Sequence, residues 1–215
     1  MNMSQAHIFI DNSNLLGGAQ RTAQANEGAP WQSVRIYWRN FFQLIESDLL
    51  PVQRMLAGSL PPGNEPLWES ARRYGYDTSL LKRVPNDNGK LAEQAVDEVM
   101  HAKIAGALLD FEPPPEQTLV LVTGDGNLSD YGTSFVQQVE RAAKRQWNVL
   151  IYSWKSQLSG KYAAARLKHP AYVNIVELDD YYKEITFIKG GTYTSPAGTV
   201  TASERIVSQL GQRKR

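Results

Sequence analysis

The chain of 215 residues contains no cysteine, which excludes disulfide bonds and thiolate metal sites. It has only three histidines, so a zinc centre is not expected either. No run of about 18 apolar residues occurs, and no transmembrane helix is therefore expected. The opening residues MNMSQAH lack the basic and apolar regions of a signal peptide. These absences predict a soluble, cytoplasmic protein without a membrane partner.

Net charge is also nearly absent, because 23 basic and 22 acidic side chains give a formal charge of +1. This balance neither favours nor excludes a nucleic-acid partner, since a basic groove and an acidic metal site can cancel. The apolar fraction of 42% is enough for a substantial core. We expect one domain over residues 1–188, and a homo-oligomer remains possible. Residues 189–215, rich in Gly, Thr and Ser and ending in Arg-Lys-Arg, are predicted to form a weakly ordered basic tail.

Short apolar runs alternate with segments of helical periodicity along most of the chain. Strands are predicted over residues 7–10, 52–59, 76–81, 118–123, 149–154 and 172–178. Helices are predicted over 33–50, 66–74, 91–109, 134–147 and 156–167, and a loop over 17–30. The run TLVLVT at 118–123 is continuously apolar, as parallel strands covered on both faces are. The alternation favours an α/β sandwich with a mainly parallel sheet.

Two acidic residues directly follow predicted strands. Asp11 ends the first strand, in FIDNSN, and Asp125 follows the apolar strand, in TGDGN. Parallel sheets bind ligands beyond the carboxyl ends of their strands, so both carboxylates are placed for a site. A third, Asp97, lies within a predicted helix beside core positions. Each residue alone is also compatible with a turn, a helix cap or a solvated helix face.

Three converging carboxylates would repel one another unless a cation or protons compensated their charge. Carboxylate oxygens are hard ligands that suit Mg²⁺ or Mn²⁺, and such sites favour phosphate substrates. A divalent ion there would stabilise negative charge that develops on a phosphodiester. The acidic positions are therefore compatible with a metal site that acts on a phosphodiester.

Three motifs resemble the NYN domain family, a branch of the PIN-like nucleases. They are FIDNSNL at 9–15, EQAVDEVM at 93–100 and LVLVTGDGNLSDY at 119–131. The resemblance extends over about residues 5–187. It implies a PIN-like three-layer α/β/α sandwich that binds Mg²⁺ or Mn²⁺ and hydrolyses RNA.

The resemblance also implies roles for individual residues. Asp11, Asp97 and Asp125 would be the catalytic metal ligands. Further predicted residues are Asn127 and Asp130 at the metal, and Asn12, Asn14, Lys90, Glu93 and Ser129 at the substrate. Many relatives carry a carboxylate where this chain has Asn127, and Asp130 is the nearby substitute. An amide offers a metal contact without neutralising charge, so a weaker site is also consistent with the sequence.

Two other functions remain open. A PIN-like protein that binds RNA as a scaffold without cutting it would tolerate Asn127. A phosphatase of the haloacid-dehalogenase type would explain GDGNLSD, but its Asp-x-Asp motif would require a second aspartate where Ser13 stands.

Overall fold

The computed structural model describes residues 3–59, 65–78, 80–81, 84–85, 91–92, 96–129, 132–195 and 198–211. Its strands and helices alternate along most of the chain. In chain order they are β1 (Ser4–Asp11), α1 (Asn12–Glu27), β2 (Val34–Ile36), α2 (Trp38–Glu46), β3 (Leu49–Ser59), α3 (Glu65–Arg73), β4 (Leu80–Leu81), β5 (Val84–Pro85), β6 (Leu91–Ala92), α4 (Val96–Asp110), β7 (Gln117–Val122), α5 (Phe135–Lys144), β8 (Asn148–Ser153), α6 (Gly160–Lys168), β9 (Val173–Glu177), α7 (Tyr182–Ile185), β10 (Thr186–Ile188), β11 (Gly191–Ser195) and β12 (Gly198–Ala202). Short 3-10 helices occupy Trp31–Ser33 and Leu178–Tyr181.

The central sheet has six strands in the order β4-β3-β1-β7-β8-β9, and every neighbouring pair is parallel. Strand β1 lies in the middle, between β3 and β7. The chain builds outward from β1 in one direction through β3 and β4, and in the other through β7, β8 and β9. This reversal of direction opens a crevice at the carboxyl ends of β1 and β7. The predicted, mainly parallel sheet is confirmed.

Side chains on the two faces of the sheet belong to two separate cores. On β1, Ile8 and Ile10 pack with α1 and α2, whereas Phe9 packs with α4, α5 and α6. Helices therefore cover both faces, which confirms the predicted three-layer α/β/α sandwich. Within the described part of the chain, none of these helices is both long and apolar enough to cross a bilayer.

Helix α1 occupies most of the segment predicted as a loop over residues 17–30. Asp11 caps its first turn, and Gly28 ends it in the left-handed conformation (φ 64°). The glycines inside this segment suggested a loop because glycine weakens helices. Gly18 has a packing reason instead, since a Cβ there would overlap the Trp154 ring.

Two predicted helices begin later than expected. The helix predicted from residue 33 begins at Trp38, because Val34–Ile36 forms β2 and pairs antiparallel with β10. The helix predicted from residue 91 is described from Val96 onward, and Leu91–Ala92 is the short strand β6. Only Leu80–Leu81 and a bridge at Asp77 remain of the strand predicted over 76–81 in the described residues.

The predicted weakly ordered tail is also wrong for the residues that the structure describes. Strands β11 and β12 form an antiparallel hairpin, whose alternating Thr, Tyr and Val residues favour extended backbone. Beyond it, Arg205 forms an ion pair with Glu27 (2.9 Å) and donates to the carbonyl of Thr186 (2.8 Å). The guanidinium also lies over the Tyr182 ring, at 4.8 Å. Composition alone missed these contacts because they join residues far apart in sequence.

Within β1, His7 is a fully buried titratable side chain. Its ring packs against Phe111 and Trp147, with centroids at 4.5 and 4.8 Å. Burial lowers the pKa of His7, and hydrogen bonds to Gln117 and Gln53 oppose that shift in part. The folded protein therefore holds this imidazole neutral more strongly than the unfolded chain does.

This difference predicts acid-sensitive stability. Below about pH 6.5, the unfolded chain binds a proton at His7 that the folded protein resists, so the free energy of unfolding falls as pH falls. Urea unfolding of His7→Phe should therefore show a smaller drop in the free energy of unfolding between pH 7.5 and pH 5 than urea unfolding of the wild type. An equal drop in the free energy of unfolding in both proteins would contradict this assignment. The smaller drop expected to remain in His7→Phe is assigned to His101, because burial also lowers its pKa.

Candidate functional site

A polar cleft opens at the carboxyl ends of β1 and β7, where the strand order reverses. Asp11 and Asp125, two of the predicted metal ligands, both line it. The other lining residues come from α1, from the loop after β7 and from the loop after β8: Ser13, Asn14, Arg21, Gly124, Gly126, Asn127, Ser156, Gln157 and Ser159. The cleft therefore presents carboxylates, amides, hydroxyls and one arginine.

Asp11 has two structural contacts that fix its carboxylate. One oxygen, Oδ1, accepts the backbone N–H of Asn14 (3.1 Å), which caps α1. The other, Oδ2, accepts the hydroxyl of Thr123 (3.3 Å) at the end of β7. The carboxylate is thus held between the first turn of α1 and the neighbouring strand, although it is largely buried.

The loop after β7 is joined to α1 by a second predicted residue. The side-chain oxygen of Asn14 accepts the backbone N–H of Gly124 (2.8 Å). The Asp125 N–H then donates to the Thr123 hydroxyl (3.2 Å), and Asp125 Oδ1 accepts the N–H of Asn127 (2.9 Å). Asn14 therefore orients the loop that carries Asp125, as an amide beside the first carboxylate can do.

Three successive carbonyl groups of this loop are held from the start of α6. The N–H of Ser159 donates to Gly124 (3.0 Å), the Tyr162 hydroxyl to Asp125 (2.6 Å) and the Lys161 ammonium to Gly126 (2.8 Å). Because all three carbonyls are directed at α6, the backbone around Asp125 has little freedom to turn. Helix α6 therefore sets the position of the second carboxylate of the cleft.

The side chain of Tyr162 is buried beside the loop that carries Asp125. Burial raises its pKa well above the usual value, and the negative charges of Asp125, Asp11 and Asp97 raise it further. Tyr162 stays protonated and remains a hydrogen-bond donor to the loop at any physiological pH.

Asp97 is placed differently from the other two carboxylates. It is half-buried in the first turn of α4, rather than in mid-helix as predicted, and it does not line the cleft. Among the described residues, no three acidic or histidine side chains form a group that could hold a metal ion. The structure therefore brings two of the predicted ligands together in one cleft, and a metal role for Asp97 stays a prediction.

The remaining predicted residues differ in their surroundings. Asn127 is exposed at the rim of the cleft. Ser129 bonds to Thr133 (2.9 Å), which in turn bonds to His101 (2.8 Å). Asn12 is buried, and its side-chain oxygen has no hydrogen-bond partner. Lys90, Glu93 and Asp130 lie outside the described residues.

Sequence reasoning missed several residues that shape the site. Thr123 belongs to an apolar strand pattern, and its hydroxyl gave no separate signal. Lys161 and Tyr162 belong to a helix distant in sequence, and only the fold brings them to the loop. Their nearest sequence signal is Ser159, a good residue to cap the helix that follows it.

The donors in the cleft fit one kind of cation. Mg²⁺ commonly binds one or two protein carboxylates and completes its shell with water and substrate phosphate. Asp11 and Asp125 would supply those carboxylates, and the neighbouring amide and hydroxyl oxygens are equally hard donors. The same set lacks the thiolate and imidazole ligands of a structural zinc centre.

Comparisons with known proteins bear on the fold alone. No family model and no curated protein sequence matches the chain. Among solved structures, it is similar to a protein of unknown function from Vibrio parahaemolyticus, at 13% identity and a TM-score of 0.55, covering 83% of this chain and 97% of that one. A partial match to a levoglucosan dehydrogenase has a TM-score of 0.34 and 14% identity, and it covers 85% of this chain and 36% of the dehydrogenase.

The loop that carries Asp125 depends on Gly124 for its close packing. A Cβ at Gly124 would lie 2.5 Å from the backbone carbonyl oxygen of Gln157. Backbone cannot yield as a side-chain tip can, so Gly124→Ala should push the two loops apart. We expect a loss of about 1–3 kcal/mol in the free energy of unfolding, measured by urea denaturation.

Gly106→Ala is the matched control for this substitution. Gly106 lies within α4 with nothing near its absent Cβ, so alanine there should raise stability by up to about 1 kcal/mol. If Gly124→Ala were as stable as the wild type, the packing of the two loops would not constrain Asp125 as described.

Proposed function

We propose that this protein is a metal-dependent ribonuclease of the NYN type, which hydrolyses RNA phosphodiester bonds with Mg²⁺ or Mn²⁺. One observation carries the proposal: Asp11 and Asp125 line the same cleft, at the point where the parallel sheet reverses its strand order. The NYN-like motifs support the choice of RNA as the substrate. The three-layer fold is compatible with it.

Some residues of the cleft would bind the cation, and others fix the positions of those that bind it. Asp11 and Asp125 would hold the cation, which when bound supplies positive charge against the phosphate and a water of lowered pKa. Asn14 would fix the position of Asp125 relative to Asp11, because its side-chain oxygen accepts the Gly124 N–H (2.8 Å). Tyr162 keeps the Asp125 backbone in place by donating to its carbonyl (2.6 Å). Asp97 is proposed to add negative charge that acts on the Tyr162 hydroxyl.

Two features weigh against the phosphatase alternative. A haloacid-dehalogenase site needs a nucleophilic aspartate and an acid–base aspartate two residues later, but this chain places Ser13 second. The carboxylate of Asp11 is also bonded at both oxygens, to Asn14 and to Thr123. Such a group is better suited to a fixed ligand than to an attacking nucleophile.

A second candidate function is RNA binding without cleavage. It is favoured by one observation, that the described residues contain no group of three acidic or histidine ligands. Asn127, where many relatives have a carboxylate, adds to it. In this case the cleft would still bind RNA, but it would not cleave RNA because the carboxylate charge at position 127 is missing.

The charge of Asp11 can be tested separately from its capping role. Asparagine is as good a helix N-cap as aspartate, so Asp11→Asn should fold normally while losing the negative charge. We expect its Mn²⁺-dependent cleavage of a single-stranded RNA to fall by about two orders of magnitude or more. Product release is measured on denaturing gels, with circular dichroism as the check on folding.

Asp110→Asn is the control, since Asp110 is exposed at the end of α4. It should cleave RNA as the wild type does. Equal inactivity of the wild type and Asp11→Asn, with RNA binding retained, would establish the binding function instead. Release of phosphate from a phosphomonoester would favour the phosphatase.

A further inference from the structure

One face of α1 leads away from the carboxylates and ends in a cation. Asn14, Gly17 and Arg21 are spaced three and four residues apart, so they lie above one another on the helix. Seven residues of helix place Arg21 about 10 Å along α1 from Asn14. Both Asn14 and Arg21 line the cleft. The cleft therefore has a carboxylate end and a cationic end.

The guanidinium of Arg21 is turned back over Gly17. Its Nη2 lies 3.8 Å from where a Cβ on Gly17 would be. This agrees with the tilt of helical side chains toward the amino end. Among the residues that the structure describes, Arg21 has no hydrogen bond or ion pair. Its charge is thus uncompensated and faces the same opening as Asp11 and Asp125.

Gln157 reaches the same place from the loop after β8. Its Nε2 lies 3.7 Å from the absent Cβ of Gly17, and its Oε1 is buried without a hydrogen-bond partner, close to Gly18. The backbone of Gln157 is fixed, because its N–H donates to Trp154 (2.9 Å). Two N–H donors, one charged and one neutral, therefore lie within 3.8 Å of the same point above Gly17, a position on α1 that has no side chain.

Unused donors around such a gap are suited to an anion. A phosphate oxygen can accept from a guanidinium and from an amide at once, and arginine is the residue best shaped for phosphate. An RNA strand whose scissile phosphate lies at the carboxylates carries its next phosphates along the cleft. The cationic end is where one of them would arrive.

We infer that Arg21 and Gln157, whose N–H groups both lie close to Gly17, form a subsite for a phosphate of the RNA strand next to the one that is cleaved. This subsite rests on the proposed function for its ligand. Its role is to offset the repulsion that two carboxylates exert on a polyanion and to fix the direction of the strand.

The charge of Arg21 gives the test a specific signature. Each phosphate contact by a cation makes binding of single-stranded nucleic acid fall more steeply with salt, by about 0.7 in the slope of log K against log salt. Arg21→Gln should make the slope shallower by about 0.7 and weaken binding by roughly five- to tenfold at low salt. Gln157→Ala should weaken binding without changing the slope, because the amide carries no charge.

Binding is measured by fluorescence anisotropy of a labelled oligouridylate, between about 50 and 200 mM salt. All proteins carry Asp11→Asn so that the RNA stays intact. Arg39→Gln is the matched control, since Arg39 is an exposed arginine on α2 that does not line the cleft. It should leave both affinity and slope unchanged.

The outcomes separate the subsite from the catalytic proposal. If the wild type cleaves RNA but Arg21→Gln binds with the slope of Arg39→Gln, the subsite is wrong and the ribonuclease stands. If the wild type does not cleave RNA but the slope becomes shallower only in Arg21→Gln, the phosphate contact at Arg21 stands and the ribonuclease fails. If Asp11→Asn binds no oligouridylate at all, the subsite is overturned.

Discussion

Two like charges held at the ends of neighbouring strands are the feature on which the rest of the site depends. Asp11 and Asp125 would repel each other if they were free to move, and each is tied to its own backbone surroundings. Thr123 links the two, because its hydroxyl donates to Asp11 and accepts the Asp125 N–H. Such an arrangement makes physical sense where a cation or a cationic partner compensates the charge.

The hydrogen bonds around the cleft also fix how α1, α6 and the loop after β7 pack against one another. Helix α1 approaches the loop after β7 through Asn14, and helix α6 approaches the same loop from behind through Tyr162. Gly124 and Gly126 allow this approach, since side chains at either position would overlap the loop that precedes α6. The geometry of the site is thus a property of three elements together, and a change in one is transmitted to the carboxylate of Asp125.

The sequence predicted the parts of this protein that depend on local patterns. Asp11 and Asp125 could be placed because parallel strands end at one edge of a sheet, and the sheet itself followed from the alternation of its segments. The contacts of Tyr162, Lys161 and Arg205 could not be predicted, because each joins segments that only the tertiary fold brings together. Glycine was misleading in α1, where it serves packing rather than a turn.

The central claim, that Asp11 and Asp125 jointly hold one divalent cation, is tested most directly by crystals soaked in Mn²⁺. An anomalous difference map should show one manganese peak between the two carboxylates, and the peak should be absent from crystals of Asp11→Asn. A manganese ion bound elsewhere, or no ion at this cleft in the wild-type crystals, would contradict the account.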